Sequence, residues 1–188
     1  MNEHISEVQQ LIDLALECGF SHAGGVDVAT LKSLEAVREM CAVDKCHAYE
    51  RTWTCPPGCG TIPECQEKLR RYEFGVLVQT TAELEDTMDY EGMMEGAEKQ
   101  KASCEAFRPR VQALYPDVLA LTMASCDICR KCTYPDAPCR FPERATAAME
   151  GYGLLVSQVC RDNGILYYYG PNTVTYTGMF LVRPGDKE

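Results

Sequence analysis

Three cysteines at C-x2-C-x2-C spacing, Cys126, Cys129 and Cys132, restrict this chain more than any other feature. Such a run brings three thiols onto one tight turn, the arrangement that wraps a corner of a cubane iron–sulfur cluster. A fourth, Cys139, follows after six residues and leads into Arg140-Phe141-Pro142. The intervening Pro135, Asp136 and Pro138 stiffen the loop. Cys139 then either folds back onto the same centre or serves a second one, as the fourth cysteine does in two-cluster ferredoxins. Structural zinc also takes four thiolates, but usually as two separated C-x2-C pairs. The unbroken triple therefore favours iron–sulfur, with zinc as the alternative.

A second group lies earlier. Cys41 and Cys46 precede Cys55-Pro56-Pro57-Gly58-Cys59. The prolines fix the backbone between the last two thiols, and Gly58 and Gly60 let backbone N–H groups approach bound sulfur closely. Both groups are expected just before a helix, Cys59 ahead of Thr61 and Cys139 ahead of Pro142. A helix N-terminus favours the thiolate over the thiol. Cys18, Cys104 and Cys160 have no cysteine neighbours and read as small buried apolar residues, as does Cys65. His47 could replace a thiolate but reads as a surface residue.

Twelve of the 188 residues are cysteine. A chain of this length buries a real core and needs no disulfides to hold it. Met1-Asn2-Glu3-His4 has no basic n-region, and Glu7, Gln9, Gln10 and Asp13 break the apolar positions that follow. Neither a signal peptide nor a membrane span is expected, which places the chain in the cytoplasm. Cysteine there means metal or redox chemistry more often than disulfides. The net charge of −10 argues against nucleic acid and anionic membranes.

Helices and strands alternate. Ile5, Val8, Leu11, Ile12, Ala15 and Leu16 share a helical face over residues 3–18, closed by Gly19. A short strand follows near 22–28, then a helix using Leu31, Leu34 and Val37. Thr61 and Glu64 have capping-box spacing at the start of another helix. Residues 74–81 (FGVLVQTT) form the clearest strand, apolar enough for burial on both faces. Residues 83–115 read as helix, with a kink or a restart at Pro109. A strand over 117–123 runs into the second cysteine loop, Pro142 opens a helix towards Met149, and 154–161 continues helically. Residues 165–169 and 173–182 read as two strands joined through Gly170-Pro171-Asn172. The expected fold is α/β or α+β: one domain over 1–188, a mixed sheet flanked by helices, two cysteine-rich metal loops and a C-terminal hairpin. Trp53 and Tyr49 either shield a metal centre or simply pack. Tyr167, Tyr168, Tyr169 and Tyr176 read as strand packing. Gly24-Gly25 lacks the spacing of a nucleotide fingerprint.

The stretch from Thr52 to Cys59, the triple at 126, 129 and 132, and Cys139-Arg140-Phe141-Pro142-Glu143 together resemble the predicted metal-binding proteins of domain-of-unknown-function family 2284. The resemblance extends to Met149-Glu150-Gly151-Tyr152-Gly153 and departs from it at Thr146-Ala147-Ala148. It implies metal binding through these cysteines and no particular reaction. The expectation is one [4Fe–4S] cluster on Cys126, Cys129, Cys132 and Cys139, with a second on Cys41, Cys46, Cys55 and Cys59. The alternatives are a zinc-stabilised binding module and a carrier of metal or clusters. A role in electron transfer needs a redox partner protein, because the chain carries no nucleotide or flavin motif. Any catalysis would be that of an iron–sulfur oxidoreductase.

Overall fold

A computed structural model describes residues 4–185. Helix α1, Ile5–Glu17, buries Leu11 and Ala15. Ile5 and Leu16 lie at the flank of its apolar stripe and remain exposed. The expected start of this helix at Glu3 falls outside the described residues. Strand β1, His22–Asp27, comes next. A 3-10 turn over Val28–Thr30 then separates it from α2, Glu35–Ala42. Of the three apolar residues assigned to this helix, only Val37 lies within it. Leu31 precedes it, and Leu34 caps it, with its N–H donating to the Gly153 carbonyl at 2.8 Å.

Helix α3, Ile62–Leu69, starts where the capping box predicts. Thr61 accepts from the Glu64 N–H while the Glu64 carboxylate accepts from Thr61 N–H at 2.7 Å. Strand β2, Phe74–Glu83, leads to α4, Tyr90–Leu114. No helix restarts at Pro109: α4 runs through it. The proline N cannot donate to the carbonyl one turn back, yet buried Phe107 and Val111 hold that stretch to the sheet. Strand β3, Asp117–Thr122, and the two-residue β4, Ala147–Ala148, bracket the second cysteine loop. A 3-10 turn at Glu150–Tyr152 precedes α5, Val156–Asp162, and β5, Thr173–Arg183, follows.

The strands form one mixed sheet in the order β1-β2-β5-β3-β4. The β1–β2, β2–β5 and β5–β3 pairs are antiparallel, and β3–β4 is parallel. Alternate residues feed two cores. Phe74, Val76 and Val78 of β2, with Phe180 and Val182 of β5, face α1 and α4. Leu77, Met179 and Leu181 face α3, α5 and the first cysteine loop. Burial of the apolar run on both faces is therefore met, and the fold is α+β. Phe107 and Phe180, both fully buried, meet edge to face at 4.8 Å. Such a contact adds about 0.5–1.5 kcal/mol beyond the area it buries.

Two expectations fail here. Pro142 to Met149 is not a helix. One turn closes through Ala145 N–H to the Phe141 carbonyl at 2.9 Å, and the chain then joins the sheet, with Ala147 opposite Leu121. The C-terminal hairpin does not form either. Residues 165–169 are irregular, and β5 finds its partners in β2 and β3. No helix among the described residues is long and apolar enough to cross a membrane.

Candidate metal centre

The first cysteine loop leaves α2 at Cys41 and returns at α3. Cys41 is half-buried, Cys46 is exposed, and Cys55 and Cys59 are buried. Gly58 makes the tight return possible. A side chain there would meet the Thr52 carbonyl at 2.5 Å, closer than any Cβ can sit. Gly60 adopts φ +108°, a conformation that favours glycine. Its carbonyl thereby accepts from Arg38 at 2.8 Å.

Arg38 organises the inner end of this loop. One guanidinium nitrogen donates to Gly60 O, and the other to Gly151 O at 2.8 Å. The second nitrogen also lies 3.6 Å from Cys65 Sγ and 3.9 Å from Cys59 Sγ. Cys65, fully buried on α3, is thus a neighbour of Cys59 and not an isolated core residue. Their thiols titrate together. The hydrogen bond to Cys65, helped by burial, pushes Cys59 up. The same bond brings Cys65 down to about 7 against the effect of burial, with Arg38 and Lys68 assisting. The Cys59 thiol donates to Gly151 O at 3.2 Å, and Cys65, beside the guanidinium, is the member of the pair that loses its proton more readily. Lys68 braces the pair from α3 by donating to Cys59 O at 3.0 Å.

Burial pushes the Cys55 thiol up; hydrogen bonds with Thr52 and Thr54 pull it back in part, while Cys46 and Cys126 add to the rise. Cys41 is also raised, first by burial and then by Glu150. The backbone N–H of Cys126 donates to Thr54 Oγ1 at 3.3 Å. Trp53 reaches across to donate from Nε1 to Ala137 O at 3.0 Å, and its ring meets Tyr134 edge to face at 4.9 Å. Neither reading foresaw this bond, through which Trp53 latches the two loops together while lining the second-loop cavity.

The second loop has no helix or strand of its own between β3 and β4. It is tied internally. Thr133 Oγ1 donates to Pro138 O at 2.9 Å, and Arg140 donates to Lys131 O at 3.0 Å. Cys126, Cys129, Cys132 and Cys139 are all half-buried, and all four line one small cavity walled on the opposite side by Thr52, Trp53 and Thr54. Because no helix follows Pro142, Cys139 does not lead into a helix N-terminus. Its placement differs in this from that of Cys59.

Every cysteine is a free thiol. The donor set around the second-loop cavity, four thiols and no competing carboxylate, suits iron–sulfur or zinc. Among the described residues, no three His, Cys, Asp or Glu side chains are grouped closely enough to hold an ion as they stand. Cys160 is buried in the core, and Cys18 and Cys104 pack against the α1–α4 side. His47 is exposed. Tyr169 stacks on His22 at 4.1 Å and Tyr176 donates to Met93 O at 2.6 Å, whereas Tyr167 and Tyr168 are exposed.

Sequence reading missed Arg38 and the Cys59–Cys65 pair. The capping box did hold a signal for Cys65. It sits one turn inside α3, and helical side chains lean towards the N-terminus, here towards the loop.

Fold and loops together define a thiol-rich α+β protein with a mixed sheet and two cysteine loops joined through Trp53 and Thr54. The chain belongs to the predicted metal-binding protein family DUF2284, whose model matches residues 25–182. No curated protein matches it. Among solved structures, epoxyqueuosine reductase from Bacillus subtilis aligns at a TM-score of 0.45 with 9% identity. That alignment covers 96% of this chain and 47% of the reductase, so the chain spans about half the length of that enzyme.

Proposed function

We propose that this is an iron–sulfur protein with a redox role, holding a [4Fe–4S] cluster on Cys126, Cys129, Cys132 and Cys139. The observation that carries the reading is the shared cavity of those four free thiols, closed from the other side by the first loop. Ligation draws the four sulfurs inward, so ordering of this irregular loop is coupled to loading. The proposed second set is Cys41, Cys46, Cys55 and Cys59. The first loop meets the second through Thr52, Trp53 and Thr54, which line the cavity of the four second-loop thiols. When bound, the cluster supplies one-electron chemistry. The chain's residues do the rest. Arg38 offsets thiolate charge at the first set, Trp53 covers the cavity of the second, and the ties through Thr133 and Arg140 fix the loop. The source of electrons is a partner protein.

The test is anaerobic reconstitution followed by iron, acid-labile sulfide and visible absorption measurements. About four iron and four sulfide per site are expected, with the second-loop site lost in Cys132→Ser. Zinc bound without visible absorption would instead favour a zinc-stabilised binding module. A colourless, iron-free chain after reconstitution removes the iron–sulfur reading.

A further inference from the structure

Behind the second cysteine loop lies a larger space that the metal sites do not use. It is a cavity of about 520 Å³ between α4 and the end of β3, within the size range of small-molecule sites. Cys126 forms part of its wall, so it backs directly onto the proposed metal loop.

Three polar side chains make it more than a gap in packing. Gln100 of α4 is fully buried over β5, and neither its amide nitrogen nor its amide oxygen has a hydrogen-bond partner. A side chain at Gly178 would come within 3.4 Å of that nitrogen. An unpartnered buried amide is costly and calls for an explanation. Two turns further along α4, Arg108 lines the same space and is half-buried. It donates to the backbone carbonyl of Arg144 at 2.7 Å. Arg144 lines the same cavity, and its exposed guanidinium lies 5.6 Å from the Phe141 ring. Among the described residues neither arginine has a carboxylate at salt-bridge distance, in a chain with an excess of acids. Lys101, which also lines the space, is neutralised by Asp127, and two further carboxylates of the lining, Glu98 and Glu105, are solvent-exposed.

We propose that this cavity binds a small organic anion, its carboxylate held by Arg108 and Arg144 and an uncharged hydrogen-bonding edge held by Gln100. The guanidinium fork matches a carboxylate with two parallel bonds. The Gln100 amide offers one donor face and one acceptor face, the complement of an amide or ring-nitrogen edge. This deepens the redox reading by naming a substrate class for it, and rests on that reading only for the role of Cys126. Binding itself requires no metal.

The test uses the whole chain, before and after reconstitution, with matched acid and amide probes: benzoate and benzamide, nicotinate and nicotinamide, orotate and orotamide. At least one acid is expected to raise the melting temperature by roughly 5 °C at a hundredfold excess over its Kd, and its amide to fail. Arg108→Gln should weaken that acid about tenfold. Arg144→Gln, which leaves the backbone carbonyl in place, should do the same if the first variant folds poorly. Gln100→Leu should raise the melting temperature of the ligand-free chain while shrinking the ligand-induced shift. The proposal is overturned if no acid exceeds its amide, or if the shift survives both arginine variants. Iron measured on the same samples separates the two readings. Iron bound without acid preference overturns the pocket, and acid preference in a chain that takes up no iron supports the pocket and overturns the metal centre.

Discussion

Arg38 is the residue on which the first loop depends most. Two of its hydrogen bonds are charge-assisted contacts to backbone carbonyls, one in the loop and one beyond it at Gly151. Bonds of that kind contribute more than neutral ones. Arg38→Gln is expected to cost about 2–3 kcal/mol, read as a lower urea midpoint of the metal-free chain. It should also remove the guanidinium that helps lower the Cys65 thiol, letting that thiol rise. None of this was legible in the sequence. Arg38 reads as one more solvated charge on a short helix, because its partners lie 21, 22, 27 and 113 residues away. The eight loop cysteines were legible, since clustering and spacing are visible along a line. Which of them face one another was not, because that depends on two loops meeting through Trp53 and Thr54.

At the scale of the element, local chemistry decided what could be read. The capping box placed α3, and Thr61→Ala should lower stability by about 1 kcal/mol. Chemical denaturation of the metal-free chain would show it. A loss well below that would mean the helix is held by packing of Cys65 and Leu69 alone. Strand β2 was equally plain, as the first seven of its ten residues are buried and begin with the apolar run Phe74 to Val78. The failures share one cause. Residues 142–149 have helical composition, but Ala147 and Ala148 are taken up beside β3 at the sheet edge. Residues 165–169 have strand composition, but the place a hairpin partner would need beside β5 is held by β2 and β3. In both cases a neighbour distant in sequence outweighed the local preference.

For the molecule as a whole, the two cysteine loops behave as one unit clipped onto the sheet. Trp53→Phe removes the bond to Ala137 O and should weaken the clip by about 1 kcal/mol. A change of that size raises the population of an opened second loop about fivefold. Limited proteolysis of the metal-free chain should therefore cut faster within residues 126–146, while the melting temperature of the core changes little. Equal cutting rates in the two proteins would show that the latch contributes nothing to closure. The sheet has a further consequence for biosynthesis. Its middle position belongs to β5, which follows every other strand in the chain and pairs with β2 and β3. A nascent polypeptide on the ribosome therefore presents both sets of thiols before it can close the sheet behind them. On the iron–sulfur reading, those thiols are then open both to loading and to oxidation before the fold is complete.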